Sequence, residues 1–296
     1  MKKKTIFTGS GVAIITPFKD GKIDFEALGN IIEFQINGGT DAIIICGTTG
    51  ECSTLTDDEH RDAIAYTVKK VNGRVPVIAG TGSNDTAYAV SLSQHAEALG
   101  VDALLCVTPY YNKATTKGLI RHFTAIADSV NCPIILYNVP SRTGCNITMP
   151  VYKELAKHPN IVGVKEASGN ISSIAQLFAE CGDDFDIYSG NDDQIVPILS
   201  LGGKGVISVL ANPMPKETHD ICQLYFDGKV KESAALQLKL LDLCNTLFCE
   251  VNPVPAKAAM AAMGFCTEEI RLPLSEMEDA NKEKLLCSMR KLGLIK

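Results

Sequence analysis

Residues 161–169 read Ile161-Val162-Gly163-Val164-Lys165-Glu166-Ala167-Ser168-Gly169. The apolar run predicts a strand over Ile161–Lys165 that is buried on both faces. A lysine closing such a strand is costly, because burial disfavours the ammonium form. The same burial frees the amine as a nucleophile toward carbonyl carbon. An ordinary reading stands beside that one: Lys165 pairs with Glu166 or another acid at the strand end.

Runs of the same kind recur on either side. They predict strands over Gly11–Ile15, Asp41–Ile45, Val75–Ala79, Ala103–Val107, Pro133–Tyr137, Asp186–Tyr188 and Gly205–Val209. With Ile161–Lys165 they make eight strands whose starts lie 19 to 34 residues apart. Between them, helical periodicity marks Phe25–Asn37, Asp57–Val71, Thr86–Leu99, Thr116–Ser129 and Ile171–Glu180. Near-continuous apolar strands alternating with helices predict an α/β fold with a covered parallel sheet. Eight units fit a closed (β/α)8 TIM barrel. A doubly wound open sheet is the competing architecture, but no Gly-x-Gly-x-x-Gly turn follows the first strand. The barrel is assigned to 1–225. Residues 226–296, with helical stretches Lys229–Phe248 and Pro255–Met263, are read as a C-terminal extension packed on the barrel, since no linker-like segment intervenes.

Composition narrows the function classes. The chain has 296 residues, 46% hydrophobic and 21% charged, which suits one large α/β barrel. A net charge of −6 leaves no basic surplus for phosphates and argues against nucleic acid. Met1-Lys2-Lys3-Lys4 looks like the start of a signal peptide, yet no apolar core follows before Gly9-Ser10-Gly11. No apolar stretch reaches the roughly 20 residues that span a bilayer. The expected location is the cytoplasm, without membrane contact. The eleven cysteines are scattered, odd in number and free of Cys-x-x-Cys, so free thiols are expected rather than disulfides. The five histidines form no metal-binding pattern, and no metal is expected.

In a barrel the chemistry belongs at the C-terminal ends of the strands. The distinctive segments fall there: Gly47-Thr48-Thr49-Gly50-Glu51 after the second strand and Pro109-Tyr110-Tyr111-Asn112 after the fourth. The fifth strand runs into Tyr137-Asn138-Val139-Pro140-Ser141-Arg142-Thr143-Gly144, and the sixth ends at Lys165. Singly, each has a plain reading: a tight threonine-rich loop, two packing tyrosines, a solvated surface arginine. The first is not a P-loop, because the Gly-Lys-Ser/Thr ending is absent. As an active element it offers backbone N–H groups to a carboxylate and a hydroxyl to a proton relay. Four such segments at successive rims argue for a site.

These segments, with Asn252-Pro253-Val254-Pro255-Ala256-Lys257, resemble the dihydrodipicolinate synthase family over nearly the whole chain. That family lies in the pyruvate-dependent class I aldolase group, which includes N-acetylneuraminate lyase. The resemblance implies a barrel whose Lys165 forms a Schiff base with pyruvate. The enamine condenses with L-aspartate 4-semialdehyde to give 4-hydroxy-tetrahydrodipicolinate, in the diaminopimelate and lysine pathway, with no cofactor. It further implies a relay of Tyr137, Thr49 and Tyr111, the last inserted from a neighbouring subunit. Thr48 and Thr49 would hold the pyruvate carboxylate, Arg142 the carboxylate of the aldehyde, and Gly190 and Ile207 would line the pyruvate pocket. Tyr111 and the Ser-Arg-Thr-Gly run with Arg142 follow the synthase pattern rather than that of the lyases.

The resemblance also implies a homotetramer built as a dimer of dimers, and a lysine-binding interface site at Cys52, Ser53, Asp57, His60, Asn84, Tyr88 and Tyr110. Asn84, His60 and Tyr110 agree with lysine-sensitive members. Tyr88 stands where a glutamate normally meets the ligand's ammonium, and Asp57 replaces a frequent histidine. Weak or absent lysine feedback is therefore expected. Two rivals remain: an aldolase for N-acetylneuraminate or a 2-keto-3-deoxy sugar acid, and a catalytically silent barrel that only binds.

Overall fold

A computed structural model of the chain describes residues 3–182 and 184–296; Met1 and Lys2 of the basic start lie outside them. β1 (Gly9–Ala13) is followed by a small antiparallel hairpin, β2 (Phe18–Lys19) and β3 (Lys22–Ile23). The next strands are β4 (Ala42–Ile45), β5 (Val77–Gly80), β6 (Ala103–Val107) and β7 (Ile134–Asn138). β8 (Ile161–Glu166), β9 (Asp186–Ser189) and β10 (Gly205–Ser208) complete the set. Apart from the hairpin, all pair in parallel with their neighbours in sequence, and β10 closes on β1. The expected (β/α)8 TIM barrel is the observed fold.

Alternation along the strands divides the core in two. Ala42, Ile44, Ile78, Leu105, Ile135 and Ile207 fill the barrel interior. Their neighbours Ile43, Ile45, Leu104, Leu136 and Val164 face the helical ring. Gly163 is needed where β8 meets β9, because a Cβ there would stand 2.3 Å from the Asp186 carbonyl oxygen.

The ring comprises α1 (Phe25–Asn37), α2 (Asp57–Val71), α3 (Thr86–Ala98), α4 (Thr116–Asp128) and the single turn α5 (Pro140–Thr143). It continues with α6 (Met149–Leu155), α7 (Ile171–Cys181), α8 (Ile195–Ser200) and α9 (Pro215–Phe226). The extension adds α10 (Val230–Thr246), α11 (Val254–Ala262) and α12 (Asp279–Lys291). α10 packs on α8 and α9, and α12 packs on α10 and α11.

Strand bounds differ from the sequence expectation for definable reasons. Pro76 and Pro133 have no N–H to give a ladder, so β5 and β7 start after them. β1 lies earlier than Gly11–Ile15: Gly9 and Ser10 pair with Gly205 and Val206, whereas the Ile15 amide turns to Asn212 Oδ1 at 3.1 Å. All eleven cysteines are free thiols. No described helix is long and apolar enough to cross a membrane.

Candidate active site

Lys165 and Tyr137 are register partners on β8 and β7, so their side chains rise from the same face of the barrel wall. Lys165 is 5% exposed, and its Nζ lies 4.5 Å from the centre of the Tyr137 ring. Alternation sends Glu166 to the opposite face. There its carboxylate accepts from Tyr152 Oη at 2.7 Å, Asn138 Nδ2 at 3.0 Å and the Ser168 amide at 2.8 Å. The pairing of Lys165 with Glu166 is thus ruled out by strand geometry. Among the described residues Lys165 joins no ion pair.

The turn after β4 is a short 3₁₀ segment, Thr48–Gly50, closed by Glu51 at φ +53°. Thr49 Oγ1 accepts a 3.0 Å hydrogen bond from Asn252 Nδ2. The backbone carbonyl of the same Asn252 accepts from Arg142 Nη2 at 3.2 Å. One residue of the C-terminal extension therefore touches both the threonine turn and the arginine.

The turn is anchored from below. Glu51 is buried, and its carboxylate receives Lys257 Nζ on one oxygen and the Arg271 amide at 3.2 Å on the other. Lys257 Nζ also donates to the Glu269 carbonyl at 2.9 Å and stands 4.1 Å from the Phe18 ring centre. Burial pushes the Lys257 amine below its ordinary range. Arg271 covers the other contact to Phe18, at 4.3 Å, and grips Glu59 with both guanidinium nitrogens at 2.6 and 2.7 Å. That grip holds the Glu59 carboxyl down at about 2.

A cavity of about 200 Å³ opens over these groups, lined by Thr49, Tyr137, Arg142, Lys165, Gly190 and Asn252 among others. Gly190 is required there, since a Cβ would come within 2.5 Å of Ala167 Cβ. Five expected site residues thus converge: Lys165, Tyr137, Thr49, Arg142 and Gly190. Three do not line this cavity. Ile207 is buried in the barrel interior, and Thr48 lines a neighbouring cavity. Tyr111 projects outward, 89% exposed at φ +73°. Its loop is fixed by Asn84 Nδ2 donating to the Tyr110 carbonyl at 3.2 Å and Asn112 Nδ2 donating to the Asn84 carbonyl at 2.9 Å.

The neighbouring cavity, about 240 Å³, is lined by Thr48, Cys52, Ser53, His60, Tyr88 and Tyr110 and shares Val139 and Arg142 with the first. Asp57 accepts from Tyr88 Oη at 3.0 Å and from Arg61 Nε at 2.8 Å. The Arg61 guanidinium draws the Asp57 carboxyl below its usual range, while burial and the Asp57 bond push the Tyr88 phenol up to about 12. His60 is buried, with Nε2 donating to the Gly80 carbonyl at 2.8 Å.

Sequence reasoning did not single out Asn252, Glu51 or Lys257 as functional. Lys257 carried a usable signal: it is a lone charge in the apolar run Val254–Met260, the same kind of anomaly that marks Lys165. Asn252 stands in the segment 252–257 that carries the family resemblance, but local pattern gives no sign of its contact with Thr49, 203 residues away.

A family model described as the dihydrodipicolinate synthetase family matches residues 6–291. A protein of Acetivibrio thermocellus named 4-hydroxy-tetrahydrodipicolinate synthase is 56% identical over 99% of this chain and 100% of its own. The solved dihydrodipicolinate synthase from Aquifex aeolicus superposes with a TM-score of 0.96 at 46% identity, covering 97% of this chain and 99% of that one. That from Cyanidioschyzon merolae, solved with lysine bound, gives 0.95 at 38% identity, covering 99% and 100%.

Proposed function

We infer from its membership of the dihydrodipicolinate synthetase family, to which this chain belongs over residues 6–291, that it is a 4-hydroxy-tetrahydrodipicolinate synthase. It condenses pyruvate with L-aspartate 4-semialdehyde. The observation that carries the chemistry is one buried, unpaired lysine and one tyrosine in strand register, sharing a small cavity with a threonine and an arginine.

We propose these residue roles. The Lys165 amine adds to the keto carbon of pyruvate, and loss of water gives an imine. Once protonated, that imine is an electron sink, so a methyl proton leaves and an enamine forms. The enamine carbon attacks the aldehyde carbon, and the new alkoxide takes a proton from Tyr137. A tyrosine hydroxyl is a weak base, so it works through a hydrogen-bonded chain with Thr49 and Tyr111 of the partner subunit. The Thr48–Thr49 turn receives the pyruvate carboxylate, supported by leading amides that have no helical carbonyl behind them. Gly190 keeps the wall clear, and Ile207 forms the apolar floor below.

Arg142 is exposed enough to meet an incoming carboxylate, and its Nη2 bond to Asn252 leaves the rest of the fork open. Arg142→Ala should raise the KM for the aldehyde about tenfold or more, as expected for a charge-assisted bond, while pyruvate still forms the imine. An unchanged aldehyde KM removes the clamp. The activity itself is tested by pyruvate consumption with L-aspartate 4-semialdehyde; no condensation by protein that traps pyruvate would transfer the chain to a sister aldolase.

The assembly we propose is a homotetramer, a dimer of dimers. A tyrosine held on a fixed loop with 89% exposure supports a partner that receives it. A single-chain mass in solution would exclude this. The eleven free thiols support a reducing compartment, the cytoplasm; recovery from a secreted fraction would refute it.

Lysine feedback should be weak. The position that would offer the ligand's ammonium a carboxylate is Tyr88, whose hydroxyl is tied to Asp57, and Asp57 is already held by Arg61. Activity titrated with lysine should stay above half at millimolar concentrations, and inhibition in the micromolar range would overturn the assignment.

A further inference from the structure

The catalytic cavity has a neighbour on the side of the C-terminal extension. This second cavity, of about 370 Å³, is lined by Asn191, Asp192, Asp193, Cys244, Asn245 and Phe248. Asn191 and Phe248 line the catalytic cavity as well, so the two spaces meet at these residues. Asn191 is pinned through its backbone: its amide donates to Ser189 Oγ at 3.2 Å, and its carbonyl accepts from that hydroxyl at 2.7 Å. Phe248 follows the end of α10. Its amide donates to the Asn245 carbonyl at 3.1 Å, and the fully buried Leu247 beside it fixes the chain. The Phe248 ring itself is 45% exposed and borders open space rather than the core.

That ring is out of keeping with what surrounds it. It is the one large apolar side chain lining the second cavity. Asp192 is occupied there, since its carboxylate accepts from the Val209 and Leu210 amides at 3.1 and 2.8 Å. The side chains of Asn191, Asp193 and Asn245 make no hydrogen bond or ion pair among the described residues. Two amides and a carboxylate are thus free to bind hydroxyl groups.

The catalytic cavity is small, about 200 Å³ against the roughly 300–1,000 Å³ of an ordinary ligand pocket. Joining the second cavity to it would more than double the space. A longer, hydroxylated aldehyde would find both room and partners there, but its chain has to pass the phenyl ring. Hydroxyl groups pressed against that ring lose water and gain no bond in return. We propose that Phe248 is a specificity-determining wall of the site, which holds the aldehyde to a short chain by barring polyhydroxy aldehydes from the hydrophilic space behind it. The inference rests on the synthase reading of the cavity.

The test compares L-aspartate 4-semialdehyde with D-arabinose, a longer aldehyde rich in hydroxyls, by pyruvate consumption. Arabinose has no amine to displace Lys165, so its product leaves when water adds to the imine carbon. Its open-chain fraction is the same for every variant, which makes ratios of kcat/KM comparable. Borohydride trapping of pyruvate first establishes that each variant is folded and forms the imine; if Phe248→Ala does not trap, Phe248→Val is read on the same scale. Phe248→Ala should raise the kcat/KM ratio of arabinose to the amino aldehyde by about tenfold or more, the discrimination that pocket size supplies. Phe248→Tyr should keep the wild-type ratio. Asn245→Leu added to Phe248→Ala should remove most of the gain, because Asn245 lines the second cavity and not the first. A ratio within about twofold of wild type in the truncated variant overturns the proposal. Equal losses for the two aldehydes overturn it too, leaving Phe248 as a support for the rim, and so does a gain that survives Asn245→Leu. Wild type that traps pyruvate but does not consume L-aspartate 4-semialdehyde would instead refute the synthase reading.

Discussion

Lys165→Ala should lower condensation on the order of 10⁴-fold or more, and borohydride with pyruvate should no longer add mass to the protein. The size follows from the loss of the covalent route itself. Without the imine there is no electron sink for the methyl proton, and the rest of the cavity can only bind. A second buried lysine makes the experiment discriminating. Lys257 is 1% exposed and burial pushes its amine down, yet it is bonded to the Glu51 carboxylate and does not line the catalytic cavity. Lys165 sits 5% exposed in that cavity with no carboxylate partner. Peptide mapping of the trapped wild-type adduct should therefore place it on Lys165. An adduct on Lys257, or trapping retained in Lys165→Ala, would discard the assigned nucleophile.

The barrel was legible because its strands are buried on both faces and its helices are amphipathic. Phe25–Asn37 and Asp57–Val71 match their observed bounds, the second helped by a capping box of Thr56 and Glu59. Errors gathered where local pattern is silent about hydrogen bonding. Gly9 and Ser10 fall outside the expected strand Gly11–Ile15 but lie in the ladder, since small residues fit where β1 meets β10. The hairpin of β2 and β3 is too short to show alternation. α12 is so charged that its buried Leu285, Ser288 and Met289 make a faint stripe. At the site, Lys165 was visible as a charge ending an apolar run, and the segments at neighbouring rims pointed to the same mouth. Contacts from the extension were invisible: the bonds of Asn252 to Thr49 and of Lys257 to Glu51 join residues more than 200 apart in sequence.

That second contact carries the largest expected effect on stability. Glu51 and Lys257 are each 1% exposed in their side chains, with Arg271 and Glu269 completing the hydrogen bonds of the pair through backbone atoms. Removing one partner leaves the other as an uncompensated buried charge. Lys257→Met and Glu51→Gln should each destabilise the fold by about 3–5 kcal/mol in equilibrium unfolding. The double variant Glu51→Gln/Lys257→Met should recover more than half of the loss, since no bare charge remains. Single variants within about 1 kcal/mol of wild type would show that the pair is not an electrostatic anchor. The effect should also reach the chemistry, because Glu51 closes the Thr48–Gly50 turn through its own amide to the Thr48 carbonyl, at 3.1 Å. In Lys257→Met a displaced turn should raise the KM for pyruvate as stability falls. Lys257 belongs to α11, within residues 226–296, so we propose that this extension melts together with the barrel. A separate transition for the extension would break that link, and the anchoring of the turn by α11 would fall with it.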